Sequence, residues 1–396
     1  MTNNLKIPTL RFPEFEWEWE EKKLGEVATF FSWWTPTSSN KEYYNWEIPF
    51  IGSWDIDLRK MNKFITKEAL NSSSAKMVEE WDILYALYWA TSWKVAISKI
   101  DWAINQAVLC IRTDENKFFI KTWLDKSKWN ILSTYLQWGQ WNLSSQIIKS
   151  LTLNLPPLPE QEKIAWFLSK VDERLEASKK EKKALEDYKK WVSQKIFNQT
   201  IRFKADDGSD FPEWEERKLG EYLKQKSIKN KDLKVALVLS VSNKKWFISQ
   251  SEQFDWYKVA SNDLSSYKVV NKWEYAYNPS RINVGSIARL DNFDCWIVSP
   301  MYVVFSLSEG LNNIFFDNLY QTHRFNHLIK VWCSWSVRDS LNFNDLWNFQ
   351  ISFPTLPEQQ KIAEFLSNLD EKIEKSETEI KKLEEFKKGL LQKMFV

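Results

Sequence analysis

The sequence contains one unit twice, and this duplication constrains the fold more than any other feature does. The segment FPEFEWEWEEKKLGEV starts at Phe12, and the similar segment FPEWEERKLGEY starts at Phe211. Each half closes with a matching stretch, at 155–197 and at 353–395, and from the LPEQ motif onward the two stretches align without a gap. Such a repeat indicates a repeated structural unit. The chain is therefore predicted to be two copies of a globular part of about 150 residues followed by a helix of about 40 residues.

The closing stretches have the pattern of long amphipathic helices. Pro159 and Pro357 occupy first-turn positions, where proline is tolerated, and Glu160 and Glu358 favour the positive end of the helix dipole. Apolar residues of the second copy recur mostly at spacings of three and four, which is typical of a coiled-coil stripe. They are Ile362, Leu366, Leu369, Ile373, Ile380, Leu383, Leu390 and Met394. We expect the two helices, each about 60 Å long, to pair antiparallel as a spacer; packing of each helix on its own domain is the alternative.

Both globular parts are predicted to mix strands and helices. Strand-like stretches lie at 82–87, 95–100, 274–277, 286–290 and 302–307, and 311–331 is predicted to be a helix followed by a connection. The predicted fold class is α+β: two similar mixed α/β domains joined by two long antiparallel coiled-coil helices. The predicted boundaries are 1–154 and 201–352 for the domains, and 155–200 and 353–396 for the helices.

Charge and cysteine content exclude several classes of protein. The net charge is only +2, so DNA binding would depend on local basic surfaces rather than on a global field. The three cysteines form no CxxC pair, which predicts neither a disulfide framework nor a zinc site and favours a reducing compartment. Neither a signal peptide nor an apolar run long enough to cross a membrane is present, so we expect a cytoplasmic protein without membrane contact.

Tryptophan and glycine are present in abnormal proportions. The chain has 24 Trp and 8 Gly, whereas average glycine usage of about 7% predicts about 28 glycines in this length. The duplication provides an internal control, because Trp191 aligns with Gly389 and Trp93 aligns with Gly285. Many other tryptophans stand in turn-like stretches such as SWWTPTS (32–38) and LQWGQWNLSS (136–145), where glycine is expected.

We therefore interpret most Trp positions as glycines encoded by UGA. This codon is read as Trp in some variant genetic codes and as Gly in others, so the wrong table would write Trp for Gly. Trp19 and Trp214 are the candidates for true tryptophan. A surface rich in aromatic residues and a deliberate redesign are the alternatives.

The repeated motifs resemble the specificity subunit of Type I restriction-modification systems. The resemblance is carried by PLPEQEKIAWFLSKVDERLE and TLPEQQKIAEFLSNLDEKIE, by the FPEF…WEEKKLGEV opening and by SVRDSLNFNDL (336–346), and it covers nearly the whole chain. It implies two target-recognition domains that each read one half of a bipartite double-stranded DNA site, with the helices as the spacer. It also implies docking of two methyltransferase subunits, joined by restriction subunits. Methylation of adenine at N6, S-adenosylmethionine and ATP would belong to those partners, so no cofactor is expected in this chain.

Signals for catalysis and metal binding are weak. YNPSR (277–281) only partly matches the Asn-Pro-Pro-aromatic motif of adenine methyltransferases, and no GxxxxGK[ST] phosphate loop is present. His323 and His327 have a spacing that can bind a metal on a helix, but a third ligand is not evident and Arg324 stands where an HExxH motif has Glu. The chain is predicted to be a non-catalytic subunit with no metal site.

Polar loops are the predicted DNA-reading elements. YWATSWK (88–94) and QWGQWNLSS (137–145) lie in the first half, and NPSRIN (278–283) and CSWSVRDS (333–340) lie in the second. Their polar side chains can bond base edges or phosphates. The predicted contact residues are Lys94, Gln137, Gln140, Asn142, Arg281 and Arg338. Intradomain salt bridges are the alternative role for Arg281 and Arg338.

Two other functions remain open at this point. One is a coiled-coil adaptor or scaffold whose domains do not read DNA. The other is a self-sufficient methyltransferase or nuclease.

Overall fold

The computed structural model describes residues 7–32, 40–57, 63–72, 76–88, 94–135, 143–235, 238–242, 246–249, 263–334 and 340–396. The chain forms two compact units. Unit 1 is Met1–Lys179 with Thr378–Val396, and unit 2 is Lys180–Glu377. Each unit thus combines one globular part with a piece of each closing stretch.

The helices within the described ranges are α1 (Leu24–Val27), α2 (Lys67–Ser72), α3 (Lys117–Tyr135), α4 (Ser145–Ser150), α5 (Leu158–Phe197), α6 (Asn313–Leu319), α7 (His323–Ser334), α8 (Phe343–Trp347) and α9 (Leu356–Met394). The strands of unit 1 are β1 (Glu20–Lys23), β2 (Ala28–Phe31), β3 (Ile48–Ile51), β4 (Phe64–Ile65), β5 (Met77–Val78), β6 (Ile83–Ala86), β7 (Val95–Ile97), β8 (Trp102–Ile104), β9 (Val108–Thr113) and β10 (Thr152–Leu155). The strands of unit 2 are β11 (Glu215–Lys218), β12 (Leu223–Lys226), β13 (Leu239–Ser242), β14 (Trp246–Ser249), β15 (Lys268–Asn271), β16 (Tyr275–Tyr277), β17 (Ile287–Arg289), β18 (Cys295–Val298), β19 (Val303–Leu307) and β20 (Gln350–Phe353).

Each unit contains its own four-stranded antiparallel sheet. Its strand order is β2-β9-β6-β7 in unit 1 and β12-β19-β16-β17 in unit 2. The hairpins also share their register, since Tyr85 lies opposite Val95 and Tyr277 lies opposite Ile287. A short pair outside this sheet is repeated as well, as β1-β10 and β11-β20. The duplication seen in the sequence is therefore a duplication of topology.

Strands β6 and β16, which are inner strands of their sheets, are covered on both faces, and this explains their continuous apolar sequences. In β6, Ile83 and Tyr85 face the cluster that includes α3 and the start of α5, whereas Leu84 and Ala86 face a second cluster around Trp102. In β16 the two tyrosines and the alanine between them divide in the same way between two clusters. Strand alternation thus separates two layers of core.

The five predicted strand stretches are confirmed, since β6, β7, β16, β17 and β19 each lie inside one of them; the other strands were not predicted. The prediction for 311–331 is wrong in its second part, because α7 follows α6 where a connection was expected. Thr322 explains the difference. Its hydroxyl accepts a hydrogen bond from the Phe325 backbone N–H at 3.2 Å, which caps a new helix directly after the first.

The two predicted long helices are confirmed as α5 and α9, and they run antiparallel within each unit. In unit 1, Lys179 pairs with Glu384 at 2.9 Å and Lys387 pairs with Asp172. In unit 2, the early part of α9 meets the late part of α5, where Lys189 lies 2.6 Å from Asp370. The apolar stripe is buried beneath these pairs, with Leu168 and Leu390 in one core and Val192 and Leu366 in the other. These contacts favour the paired helices over packing of each helix on its own domain alone.

Candidate functional site

The loop after β16 presents Arg281 to solvent in a fixed conformation. The backbone N–H of Arg281 donates to the Asn278 carbonyl at 3.0 Å, and the N–H of Ser280 donates to the Asn278 side chain at 3.1 Å. A 3₁₀ turn at Ile282–Val284 follows, and Gly285 closes it with a φ of 90°. Arg281 is exposed, and within the described ranges no carboxylate lies at salt-bridge distance from its guanidinium. Its charge is therefore available to a ligand.

An equivalent backbone hydrogen bond joins described residues at the borders of two predicted loops in each unit. In unit 2, Leu341 N–H donates to the Pro279 carbonyl at 3.0 Å, which places the end of 333–340 against the 278–283 loop. In unit 1, Leu143 N–H donates to the Leu87 carbonyl, also at 3.0 Å. Gln137, Gln140, Asn142 and Arg338 lie outside the described residues. The segments that flank them converge on the same end of each sheet.

Lys94 is not a free cation. Its Nζ lies 2.5 Å from Asp57 Oδ1, and the nearby Lys99 Nζ donates to the Asp57 carbonyl oxygen at 3.0 Å. Both members of the pair are partly exposed, so the contact contributes little to stability. The negative charge of Asp57 nevertheless offsets the positive charge of Lys94 that would otherwise attract a phosphate. The sequence offered no signal for this pair, since Asp57 lies 37 residues away.

A buried carboxylate anchors the start of each long helix. Glu358 is fully buried and receives two hydrogen bonds from Arg202, at 3.2 Å and 2.9 Å, and one from Trp214 Nε1 at 3.2 Å. The same Arg202 group also donates to the Pro212 carbonyl. The hydrogen bond to Glu358 raises the pKa of Arg202 above its ordinary value. From its position, Glu358 was expected to interact favourably with the helix dipole. Its main partner in the structure is instead the guanidinium of Arg202.

Unit 1 repeats this junction with different residues. Glu160 is fully buried and receives two hydrogen bonds of 2.8 Å from Arg11. Arg11 also donates to the carbonyl of Trp17, which lies two residues before Trp19 as Pro212 lies two residues before Trp214. Arg11 and Arg202 each stand in a TxRF segment, a repeat that the FPE openings do not include. This short repeat was the available sequence signal for both arginines.

The glutamine of each LPEQ motif joins the long helix to the globular part. Gln359 Oε1 accepts from the Asn312 N–H at 2.9 Å, and Gln359 Nε2 donates to the Pro354 carbonyl at 3.0 Å. In unit 1, Gln161 makes the corresponding bonds to Asn116 at 3.1 Å and Pro156 at 2.8 Å. Asn116 and Asn312 each accept a hydrogen bond at the start of the following helix. The motif therefore fixes the helix relative to the domain core of its own unit.

The described ranges hold no group of three or more His, Cys, Asp or Glu side chains arranged to bind a metal ion. Within the same ranges, no helix has the length and apolarity required to cross a membrane. Unit 2 contains a cavity of about 930 Å³ between α5, α6 and α7, lined among others by Trp214, Arg324 and Asp370. Asp370 is already paired with Lys189.

Comparison with known proteins decides the family. A family model described as the Type I restriction modification DNA specificity domain matches residues 16–187 and again residues 212–385. The chain belongs to this family. Its two copies of the specificity domain cover both halves of the duplication.

Two curated relatives are specificity subunits of Methanocaldococcus jannaschii. The Type I restriction enzyme MjaVIII specificity subunit is 23% identical over an alignment of 405 positions, gaps included, which covers 96% of this chain and 92% of that protein. The Type I restriction enzyme MjaIX specificity subunit is 28% identical over 233 residues, 54% of this chain and 53% of that protein. The second alignment thus spans about half of the relative.

Solved structures share the fold. The S subunit of a Type I restriction-modification system from M. genitalium matches with a TM-score of 0.61 and 14% identity, covering 98% of this chain and 99% of that one. A chain from a study of complex assembly and conformational transition of the type I R-M system matches with a TM-score of 0.56 and 15% identity, covering 95% and 97%. These likenesses confirm the predicted fold class: two similar α+β domains and two long helices.

Proposed function

We propose that this chain is the DNA-specificity subunit of a Type I restriction-modification complex and that each unit reads one half of a bipartite double-stranded DNA site. The observation that carries the proposal is the double match to the DNA specificity domain, once over each half of the chain. The hydrogen bonds that join the borders of two polar loops in each unit, Leu143 to Leu87 and Leu341 to Pro279, support it. Arg281 is the described side chain best suited to reading, because it is exposed on a fixed loop and has no salt-bridge partner among the described residues.

Residues 1–154 and 201–352 are proposed as the two target-recognition domains, with 155–200 and 353–396 as the spacer. Helices α5 and α9 have 40 and 39 residues, about 60 Å each at 1.5 Å per residue. A rigid spacer sets the separation of two half-sites geometrically, as in dimeric DNA-binding proteins. A site with two specified parts and an unread gap follows from this design.

Two methyltransferase subunits and the restriction subunits are the proposed protein partners, and the cytoplasm, where such a complex meets DNA, is the proposed place of action. Catalysis is assigned to these partners and not to this chain. The relatives named as specificity subunits support this division. The loop at 277–281 supports it too, because Ser280 and Arg281 stand where the methyltransferase motif requires proline and an aromatic residue.

The test is to purify the chain together with its methyltransferase subunits and to sequence DNA that they have modified. N6-methyladenine in one bipartite motif is the expected result, and the chain alone should methylate nothing. A complex that assembles but binds DNA without sequence selectivity would instead support the scaffold function. Methylation by the isolated chain would support the self-sufficient enzyme.

Replacing Arg281 with alanine is expected to relax selectivity at one base pair of the second half-site. A bidentate arginine contact to guanine discriminates by about 1–3 kcal/mol, so the loss should be roughly tenfold. The measurement is the affinity of the complex for duplexes that carry each single-base change in the motif.

Arg217→Ala is the matched control, because Arg217 is a half-exposed arginine of the same unit that is paired with Glu215 on β11. It should leave the selectivity profile unchanged. A selective profile that is the same for wild type and Arg281→Ala at every position would rule out base reading by Arg281.

A further inference from the structure

Unit 2 carries a dense group of lysines that the predicted loops do not include. They lie on β12 and on the segment that follows it, within Leu223–Val235. The group, called here the lysine segment, consists of Lys224, Lys226, Lys229, Lys231 and Lys234. Lys226 is half-buried and the others are exposed. A charge run of this kind is often no more than a solvated surface, so its conformation and partners decide its meaning.

The lysine segment is an ordered turn and not a loose charge run. Asn230 at its centre is buried, and its side-chain amide donates to the Val235 carbonyl at 2.8 Å. The Asn230 backbone N–H donates to Tyr267 O at 2.9 Å, and the Ile228 carbonyl accepts from Val269 at 2.8 Å. These bonds fasten the turn to β15 and its approach. The lysine side chains therefore project from a preorganised backbone.

The charges of the lysine segment are largely uncompensated. Lys234 lies 3.2 Å from Asp232, and both side chains are mostly exposed. For the other four lysines, no carboxylate of the described residues lies at salt-bridge distance. Burial and, second, the charge of Lys229 lower the pKa of Lys268, so a further cation stands within electrostatic reach. Neighbouring cations without acidic partners favour the approach of an anion.

Strand register places the lysine segment near the loop that carries Arg281. Lys226 and Ala276 both lie opposite Val304 of β19. Strands β12 and β16 are each antiparallel to β19, so they run in the same direction and end at the same edge of the sheet. The part of the lysine segment that follows β12 begins at this edge, and the loop that carries Arg281 follows β16 at the same edge.

Unit 1 lacks this charge at the corresponding position of its sequence. Strand β2 pairs with β9 as β12 pairs with β19, and the residues that follow β2 read SWWTPTSSN (32–40), with no lysine or arginine. The duplication thus supplies an internal comparison: the same topological position is strongly basic in one unit and uncharged in the other.

We propose that the lysine segment binds the DNA phosphate backbone at the half-site read by unit 2. It thereby gives unit 2 phosphate contacts that the corresponding position of unit 1 does not supply. The proposal rests on the DNA-binding function proposed above. Lysine acts on phosphate as a point charge without base preference. The segment therefore supplies salt-sensitive affinity and orientation, whereas Arg281 supplies sequence reading.

The test is the triple variant Lys224→Gln/Lys229→Gln/Lys231→Gln of the full chain in complex with its methyltransferase subunits. The probe is a mixed-sequence duplex of arbitrary sequence, because phosphate contacts need no target motif. Each phosphate contact contributes about 0.9 to the slope of log K against log salt. Between 50 and 200 mM salt, the triple variant should lose about 40-fold less affinity than wild type does.

Lys180→Gln/Lys372→Gln/Lys388→Gln is the matched control, since it removes three exposed charges from the long helices and should leave the slope unchanged. An equal change of slope in both triple variants would reduce the effect to net charge and overturn the proposal. Weaker binding of the methyltransferase subunits with an unaltered DNA slope would assign the segment to a protein partner instead. Failure of the function proposed above looks different: wild type would then bind every duplex equally, whatever the slope.

Discussion

Replacing Arg202 with methionine is expected to destabilise unit 2 by about 3–5 kcal/mol, because it leaves the carboxylate of Glu358 buried without its charged partner. Glu358 is fully buried, and water cannot replace the two hydrogen bonds that Arg202 donates. For a unit of this size the melting temperature should fall by roughly 6–20 °C. Hydrogen exchange should show the largest loss of protection at the start of α9, which reports local opening.

Arg217→Met is the control for the loss of an arginine as such. The Arg217–Glu215 pair is exposed, and exposed pairs contribute at most about 1 kcal/mol. The double variant Arg202→Met/Glu358→Leu should regain most of the stability, since an apolar pair can replace a buried ion pair at little cost. If Arg202→Met melts as Arg217→Met does, the buried carboxylate does not depend on Arg202. Arg11→Met should reproduce the effect in unit 1 through Glu160.

The LPEQ motif shows what the sequence could and could not predict. A helix start was readable from the proline in the first turn and from the periodic apolar residues after it. The partners of Glu358 and Gln359 were not readable, because Arg202 stands 156 residues away and Asn312 stands 47 residues away. Contacts at such separations depend on how the chain folds back. Local spacing rules carry no information about that.

The predicted reading loops show the same limit. Alternating and apolar patterns predicted the strands that border these loops, so the ends of β6 and β16 were placed correctly. The hydrogen bond from Leu341 to Pro279 joins two loops that no local pattern connects. The pairing of Lys94 with Asp57 was likewise not readable from the sequence. The lysines of the lysine segment are evident in the sequence, but only the strand register shows that they lie near the loop that carries Arg281.

The tryptophan positions gain a conformational criterion from the backbone. Trp81 and Trp273 stand at the same point of the two units, two residues before the start of β6 and of β16. Their φ angles are 78° and 72°, in the left-handed region that a bulky residue rarely adopts. Both side chains are largely exposed, at 62% and 50%. A repeated position with positive φ is what a glycine would occupy, so these two sites test the interpretation that most Trp positions are UGA-encoded glycines.

Trp81→Gly and Trp273→Gly are each expected to stabilise their own unit by about 1–2 kcal/mol, because the left-handed conformation costs a residue with a Cβ about that much and costs glycine almost nothing. Thermal unfolding of the single and double variants measures the gain. Trp129→Gly is the control, since Trp129 is exposed within α3 and glycine in a helix interior should destabilise by about 0.5–1 kcal/mol. Equal losses at all three positions would mean that the backbone is adapted to tryptophan. Mass spectrometry of protein purified from its natural source decides the matter directly. Peptides that span positions 81, 191 and 273 should show the residue mass of glycine at those positions. A tryptophan residue mass at position 191, where the second copy has Gly389, would refute the interpretation.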